Sequence, residues 1–160
     1  MKRYRPNVCG VITNDDESQV LVFRRTDLVL GDDRWQFPQG GLDHGETAEI
    51  GLRRELKEEI GTDAIEIVRR APNLIRYDFP PEVLAQLVRQ SPEKSGYHGQ
   101  EQHWFLVRLL EGTGSIHFDH QPPEFDAYQW VSPERALAMT VSFKHSAYQT
   151  GLQALGLLRE

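Results

Sequence analysis

Residues 40–62 read GGLDHGETAEIGLRRELKEEIGT, and the rest of the chain is organised around them. From about Thr47 to Ile60 there is no proline, and Ala48, Leu52, Leu56 and Ile60 recur every four residues, an amphipathic helix pattern. Gly61 follows where a left-handed residue would end that helix. Glu55, Glu58 and Glu59 stand at i, i+3 and i+4, so three carboxylates share one face. Like charges so placed repel, and a hard divalent cation that takes oxygen ligands would relieve them. A solvated acidic face is the competing reading, since Glu49–Arg53 and Arg54–Glu58 are i, i+4 pairs of the ordinary exposed kind. Around these glutamates the spacing is Gly40, five residues, Glu46, seven residues, then Arg54-Glu55-Leu56-x-Glu58-Glu59-x-Gly61. Glu46 and Arg54 are read as structural, a carboxylate–guanidinium contact bracing the loop against the helix.

The chain has 160 residues, 39% of them hydrophobic, which suits one compact domain spanning residues 1–160. No apolar run approaches the length of a membrane span. The basic start MKRYRPNVCGVIT lacks the apolar region of a signal peptide, and Cys9 is the only cysteine, so the expected location is cytoplasmic. A formal net charge of −6 argues against a protein that coats nucleic acid, duplex DNA included, though not against one that grips a phosphorylated end.

Residues 8–13 and 19–24 read as strands joined by a turn, 28–34 as a loop, and 35–37 as a short strand. Strands are expected at 65–70 and 74–78, a short helix at 83–89, and a polar loop at 91–100. Residues 103–110 (HWFLVRLL) are almost continuously apolar and predict a central strand. Short strands are expected at 115–117 and 128–131. Ser132-Pro133 starts a helix, and a last helix is expected over 143–158.

The glycine-led spacing resembles the Nudix box, the signature of hydrolases that cut a nucleoside diphosphate linked to a further group. Thr62 departs from it, standing where the family usually has a bulky aliphatic residue. Further stretches resemble one branch, the bacterial RNA 5′-pyrophosphohydrolases and dinucleoside polyphosphate hydrolases. They are Tyr4-Arg5-Pro6-Asn7-Val8, Trp35-Gln36-Phe37-Pro38-Gln39-Gly40-Gly41, Arg76-Tyr77, Gly99-Gln100 with Gln102 and Trp104-Phe105, Glu124-Phe125-Asp126, and Val141-Ser142-Phe143-Lys144. The resemblance implies an α/β fold, the Nudix α/β/α sandwich with a central mixed sheet. It implies a metal site of Glu55, Glu58, Glu59 and Glu124, with Gly40 beside them and Gly41 and Gly61 structural. Glu101 is the alternative fourth ligand. Phe143 would stack on a base and Lys144 would meet phosphate, while a core role for the ring and a solvated role for the lysine stay open. Gln39 joins the implied substrate contacts.

Arg5 and Arg25 are offered as phosphate contacts, because guanidinium forks fit phosphate oxygens. Alternation puts Arg24 and Arg25 on opposite faces, so one of them points inward. Tyr77 either lies near the base or is one member of a strand pair. Trp35 and Trp104 read as core, and the six histidines receive no metal role.

The implied activity is Mg²⁺-dependent hydrolysis of a phosphoanhydride, with Mn²⁺ able to substitute and two or three ions present with substrate. The substrate would be a 5′-triphosphate RNA end or a dinucleoside polyphosphate. Glu55 is the expected general base, with Glu124 next. Backbone N–H groups at Gly40-Gly41 would help hold phosphate. Two rivals are a sanitising nucleoside triphosphate pyrophosphohydrolase and a non-catalytic nucleotide sensor. The second would be favoured by loss of a box carboxylate, and none is missing.

Overall fold

Strand β7 (Gly99–Leu109) lies in the middle of a five-stranded mixed sheet. On one side it pairs in parallel with β1 (Tyr4–Ile12), from Tyr4↔Gly99 to Ile12↔Val107. On the other it pairs antiparallel with β5 (Ile65–Arg70) and β6 (Ile75–Asp78). The short β4 (Gln39–Gly41) closes the far edge against β1. A second, three-stranded antiparallel sheet has β2 (Val20–Arg25) between β3 (Trp35–Gln36) and β8 (Phe125–Val131). The computed structural model describes residues 2–27, 34–90 and 96–160. The loop expected at 28–34 lies outside the described residues except for Arg34, as do residues 91–95 of the expected 91–100 loop.

Both faces of β1 are buried, and alternation divides them. Val8 and Ile12 pack with Leu52, Leu56 and Ile60 of α1 (Ala48–Ile60). Cys9 and Val11 pack with Tyr148 and Leu152 of α4 (His145–Ala154), a cluster that also takes in Ala136 of α3 (Pro133–Met139). Helices therefore cover both faces of the strand layer, an α/β/α sandwich. A further helix, α2 (Pro81–Gln90), buries no residue fully. Among the described residues no helix is long and apolar enough to cross a membrane.

Thr47 caps α1, its hydroxyl accepting from the Ile50 N–H at 3.3 Å, and Gly61 ends it at φ 82°. Thr62 is buried, and its hydroxyl accepts the Ala64 N–H at 3.1 Å, so a polar turn into β5 replaces aliphatic packing.

Two expected elements differ. Residues 115–117 form no strand; a 3-10 turn occupies Thr113–Ser115, entered through Gly112 at φ 69°. Ile116 and Phe118 pack on the α1 side of the core instead of pairing, and His117 N–H donates to the Ile60 carbonyl at 2.8 Å. The last helix is shorter than 143–158. It follows a 3-10 turn at Ser142–Lys144 and stops at Ala154, because Gly156 turns left-handed and folds Leu157 and Leu158 back onto the core. Trp104 is fully buried, whereas Trp35 is half-buried, with the Arg24 guanidinium 5.8 Å from its ring.

Gly151 of α4 rests on Trp104, where a Cβ would fall 2.4–2.6 Å from ring atoms. The indole is fixed edge-on to Phe37 and Tyr148, at 5.9 and 5.5 Å between centroids. Gly151→Ala would gain about 1 kcal/mol of helix propensity but suffer overpacking of typically about 1–3 kcal/mol. Overpacking should win, and a lower denaturation midpoint with an unchanged m-value would show it.

Candidate active site

The cleft begins where the loop before α1 is pinned to the helix. Arg54 donates from Nε to Glu46 Oε2 and from Nη2 to Glu46 Oε1, both at 2.8 Å, and from Nη2 to the Gly41 carbonyl at 2.8 Å. Glu46 also accepts the Asp43 N–H at 2.9 Å. This bonding, Arg54 foremost, holds the Glu46 carboxyl down to about 2. A third arm, Arg54 Nη1, reaches Glu55 at 2.8 Å and Glu58 at 3.6 Å.

The three box glutamates differ sharply in setting. Glu59 is buried; its Oε1 accepts the Gln39 N–H at 3.3 Å, while Oε2 has no hydrogen-bond partner. Burial, then the charges of Glu124 and Glu55, push its carboxyl well above the usual range. Burial also raises Glu55, against the opposing pull of Arg54. Glu58 is exposed and does not line the cleft. Close approach of Glu55 to the glycine turn requires Gly40, since a Cβ there would fall 1.9 Å from the Glu55 carboxyl carbon. A Cβ at Gly41 would fall 2.0 Å from Arg5 Nη2.

The same cleft has basic and aromatic lining. Lys144 is buried and donates to Gln36 Oε1 at 3.2 Å, and Arg25 Nη1 lies 3.5 Å from the same oxygen. Arg25 also pairs with Asp27. Burial first, then Arg25, hold the Lys144 ammonium down to about 7. The rings of Tyr77 and Phe143 meet at 5.9 Å, with Lys144 Nζ 6.0 and 5.9 Å from their centroids. Burial raises the Tyr77 phenol to about 12. Together these groups line a cleft of about 450 Å³ whose outer wall is α2.

An all-oxygen donor set with one buried, unpartnered carboxylate oxygen fits a hard divalent cation. Among the described residues no three His, Cys, Asp or Glu are gathered tightly enough to cage an ion by themselves. Mg²⁺ is commonly bound through one or two carboxylates, several waters and substrate phosphates, and needs no such cage.

Residues 3–150 match the NUDIX domain. The chain belongs to the Nudix family. An RNA pyrophosphohydrolase of Campylobacter jejuni is 41% identical over 150 residues, covering 92% of this chain and 89% of the relative. One from Helicobacter pylori is 40% identical over 151 residues, covering 92% and 90%. The Escherichia coli dihydroneopterin triphosphate pyrophosphohydrolase superposes with a TM-score of 0.68 at 26% identity, covering 95% of this chain and 97% of that one. A Caenorhabditis elegans Ap4A hydrolase in a binary complex shares the fold alone, with a TM-score of 0.61 at 14% identity over 95% and 98%.

In this Nudix chain the cleft brings together Arg5, Arg25, Gln39, Gly40, Gly41, Glu55, Tyr77, Glu124, Phe143 and Lys144. Arg24 faces away and pairs with Asp126 at 2.7 Å. Glu101, the alternative fourth ligand, lies off the cleft on the other face of β7 and pairs with Arg76 at 2.5 Å. Lys144 is no solvated surface lysine, and Phe143 is half-buried, touching both cleft and core. Reading the sequence missed Gln36, Asn7 and Gln100, which also line the cleft. Their signal was a polar residue at an inward strand position.

Burial of Lys144 should make stability depend on pH. Its folded value of about 7 lies below the ordinary 10.5, so between those values the unfolded chain holds more protons and stability rises with pH. Below pH 7 the full burden of a buried cation remains. Lys144→Met should therefore be more stable than wild type at pH 6, by about 1–4 kcal/mol, with the gain fading toward pH 10.5. Thermal melts of both proteins across that range would check it.

Proposed function

We propose that this Nudix protein removes pyrophosphate from the 5′-triphosphate end of RNA, with Mg²⁺ or Mn²⁺ held by Glu55, Glu58, Glu59 and Glu124. The observation that carries the reading is that carboxylates, cations and an aromatic pair line one cleft. Glu55 and Glu124 share the lining of one cleft with Arg5, Arg25 and Lys144 and with the Tyr77–Phe143 ring pair, and buried Glu59 bonds the Gln39 N–H beside it. Metal-bound polyphosphate suits the carboxylates and cations together, and a base fits the rings. The names of relatives at 40–41% identity support the same substrate. When bound, two or three such ions supply Lewis acidity to phosphate oxygens and to water.

The chain's own groups do the rest. Arg5, Arg25 and Lys144 hold the phosphates, Gly40 and Gly41 admit them closely, and Glu55 takes the proton of the attacking water, with Glu124 the alternative base. The location that suits this substrate is the cytoplasm. A dinucleoside polyphosphate offers the same phosphates and remains the competitor to test.

Chelation should abolish hydrolysis, and Mg²⁺ or Mn²⁺ should restore it. Glu59→Gln should lose activity by orders of magnitude yet melt no lower in metal-free buffer, because a desolvated charge is removed. Rates on 5′-triphosphate RNA should exceed those on diadenosine tetraphosphate and on free nucleoside triphosphates. Faster turnover of either competitor would reassign the substrate.

Phe143→Ala separates base from phosphate recognition. Loss of a stacking ring typically costs about 1–3 kcal/mol, so RNA binding should weaken by roughly one to two powers of ten. Inorganic tripolyphosphate should bind almost as before. Equal losses on both ligands with a lowered melt would make the ring part of the core.

A further inference from the structure

Beneath the cleft runs a chain of buried amides that the roles above leave unused. Gln100, Gln102 and Trp104 are alternate residues of β7, so they share a face, and all three are buried. Trp104 Nε1 donates to Gln102 Oε1 at 3.0 Å. An indole N–H can only donate. Turning the Gln102 amide over would set NH₂ against N–H in a place water does not reach.

Its orientation being fixed, the Gln102 NH₂ donates to Asn7 Oδ1 at 3.0 Å and to Gln39 Oε1 at 2.9 Å. The same polarity continues along the other branch. Asn7 Nδ2 donates to Gln100 Oε1, and Gln100 Nε2 donates to the Tyr77 hydroxyl at 3.0 Å. At Gln39, half-buried on the cleft wall, the side-chain oxygen is taken by Gln102. Its NH₂ is left for the cleft and for the Tyr77 hydroxyl that it also contacts.

We propose that Gln102, which does not itself line the cleft, is a positioning residue. Anchored by Trp104, it sets the polarity of Gln39 so that bound polyphosphate meets an amide N–H and not a carbonyl oxygen. An inverted Gln39 would aim a lone pair at an anion. The same residue's backbone N–H donates to Glu59, so a displaced Gln39 would disturb that carboxylate as well. The inference rests on the cleft being the polyphosphate site, as in the proposed function.

Two measurements test it. In wild-type protein, inorganic pyrophosphate with Mg²⁺ should shift the side-chain NH₂ resonances of Gln39 and leave those of Gln102 nearly still. Static Gln39 resonances beside shifting Gly40 and Gly41 amides would overturn it. The second is a double-mutant cycle in kcat/KM, run on whichever nucleoside polyphosphate wild type turns over fastest. Gln39→Met and Gln102→Met should each lose about 10- to 100-fold, the worth of one hydrogen bond to a charged group. The double variant should match Gln39→Met within about twofold. Losses that multiply, tracking a fall in Tm, would make Gln102 a structural residue only. Should Gln102→Met fail to fold, Gln102→Glu keeps the shape and enters the same cycle, and the wild-type titration stands alone. The choice of RNA over other substrates is decided by wild-type rates, so a wrong substrate and a wrong role for Gln102 give different results.

Discussion

Arg54 bonds both oxygens of Glu46, the Gly41 carbonyl and Glu55 with one planar group, and the shape of the cleft depends on that fork. A lysine offers a single point of charge and could not hold a loop, a strand end and a helix carboxylate in fixed relation. With Glu46 ionised down to about pH 2, the clamp stays closed under all ordinary conditions. The turn it secures has no room for side chains: at Gly40 a Cβ would overlap Glu55, and at Gly41 it would overlap Arg5. Glycine spacing and the Arg–Glu pair are two aspects of one packing problem.

Each wall of the cleft is uncomfortable alone. Glu59 is pushed toward its neutral form by burial and by Glu124 and Glu55, and Lys144 toward its neutral form by burial and by Arg25. A cation beside Glu59 and an anion beside Lys144 would each favour the charged form that burial opposes. Such preorganisation lowers folding stability and spares reorganisation at the reacting centre.

The α1 stretch was legible because its period, cap and charge spacing all agree, and the helix runs from Ala48 to Ile60 as its apolar repeat requires. The 103–110 run announced a central strand, since a strand buried on both faces reads as a near-continuous apolar run. Legibility failed where local pattern and tertiary setting part. Ile116 and Phe118 look like strand residues, but glycines 112 and 114 bend the chain and the apolar side chains pack on α1's side of the core. Glu124 and Glu101 are both acidic residues near strands, and composition cannot separate them; once the register of β7 is known, alternation turns Glu101 off the cleft that Glu124 lines. Lys144 gave no sign of burial, because the walls around it come from β2, β3 and β6.

The parallel pairing of β1 with β7 also governs how the protein comes to be. Asn7 and Gln102, bonded at the heart of the sheet, are 95 residues apart in the chain. Closing so large a loop is entropically expensive until β4, β6 and the amide chain add their contacts. The cleft takes residues from Arg5 through Lys144, so no short fragment of the chain contains it. Assembly of the cleft therefore waits on formation of the central sheet.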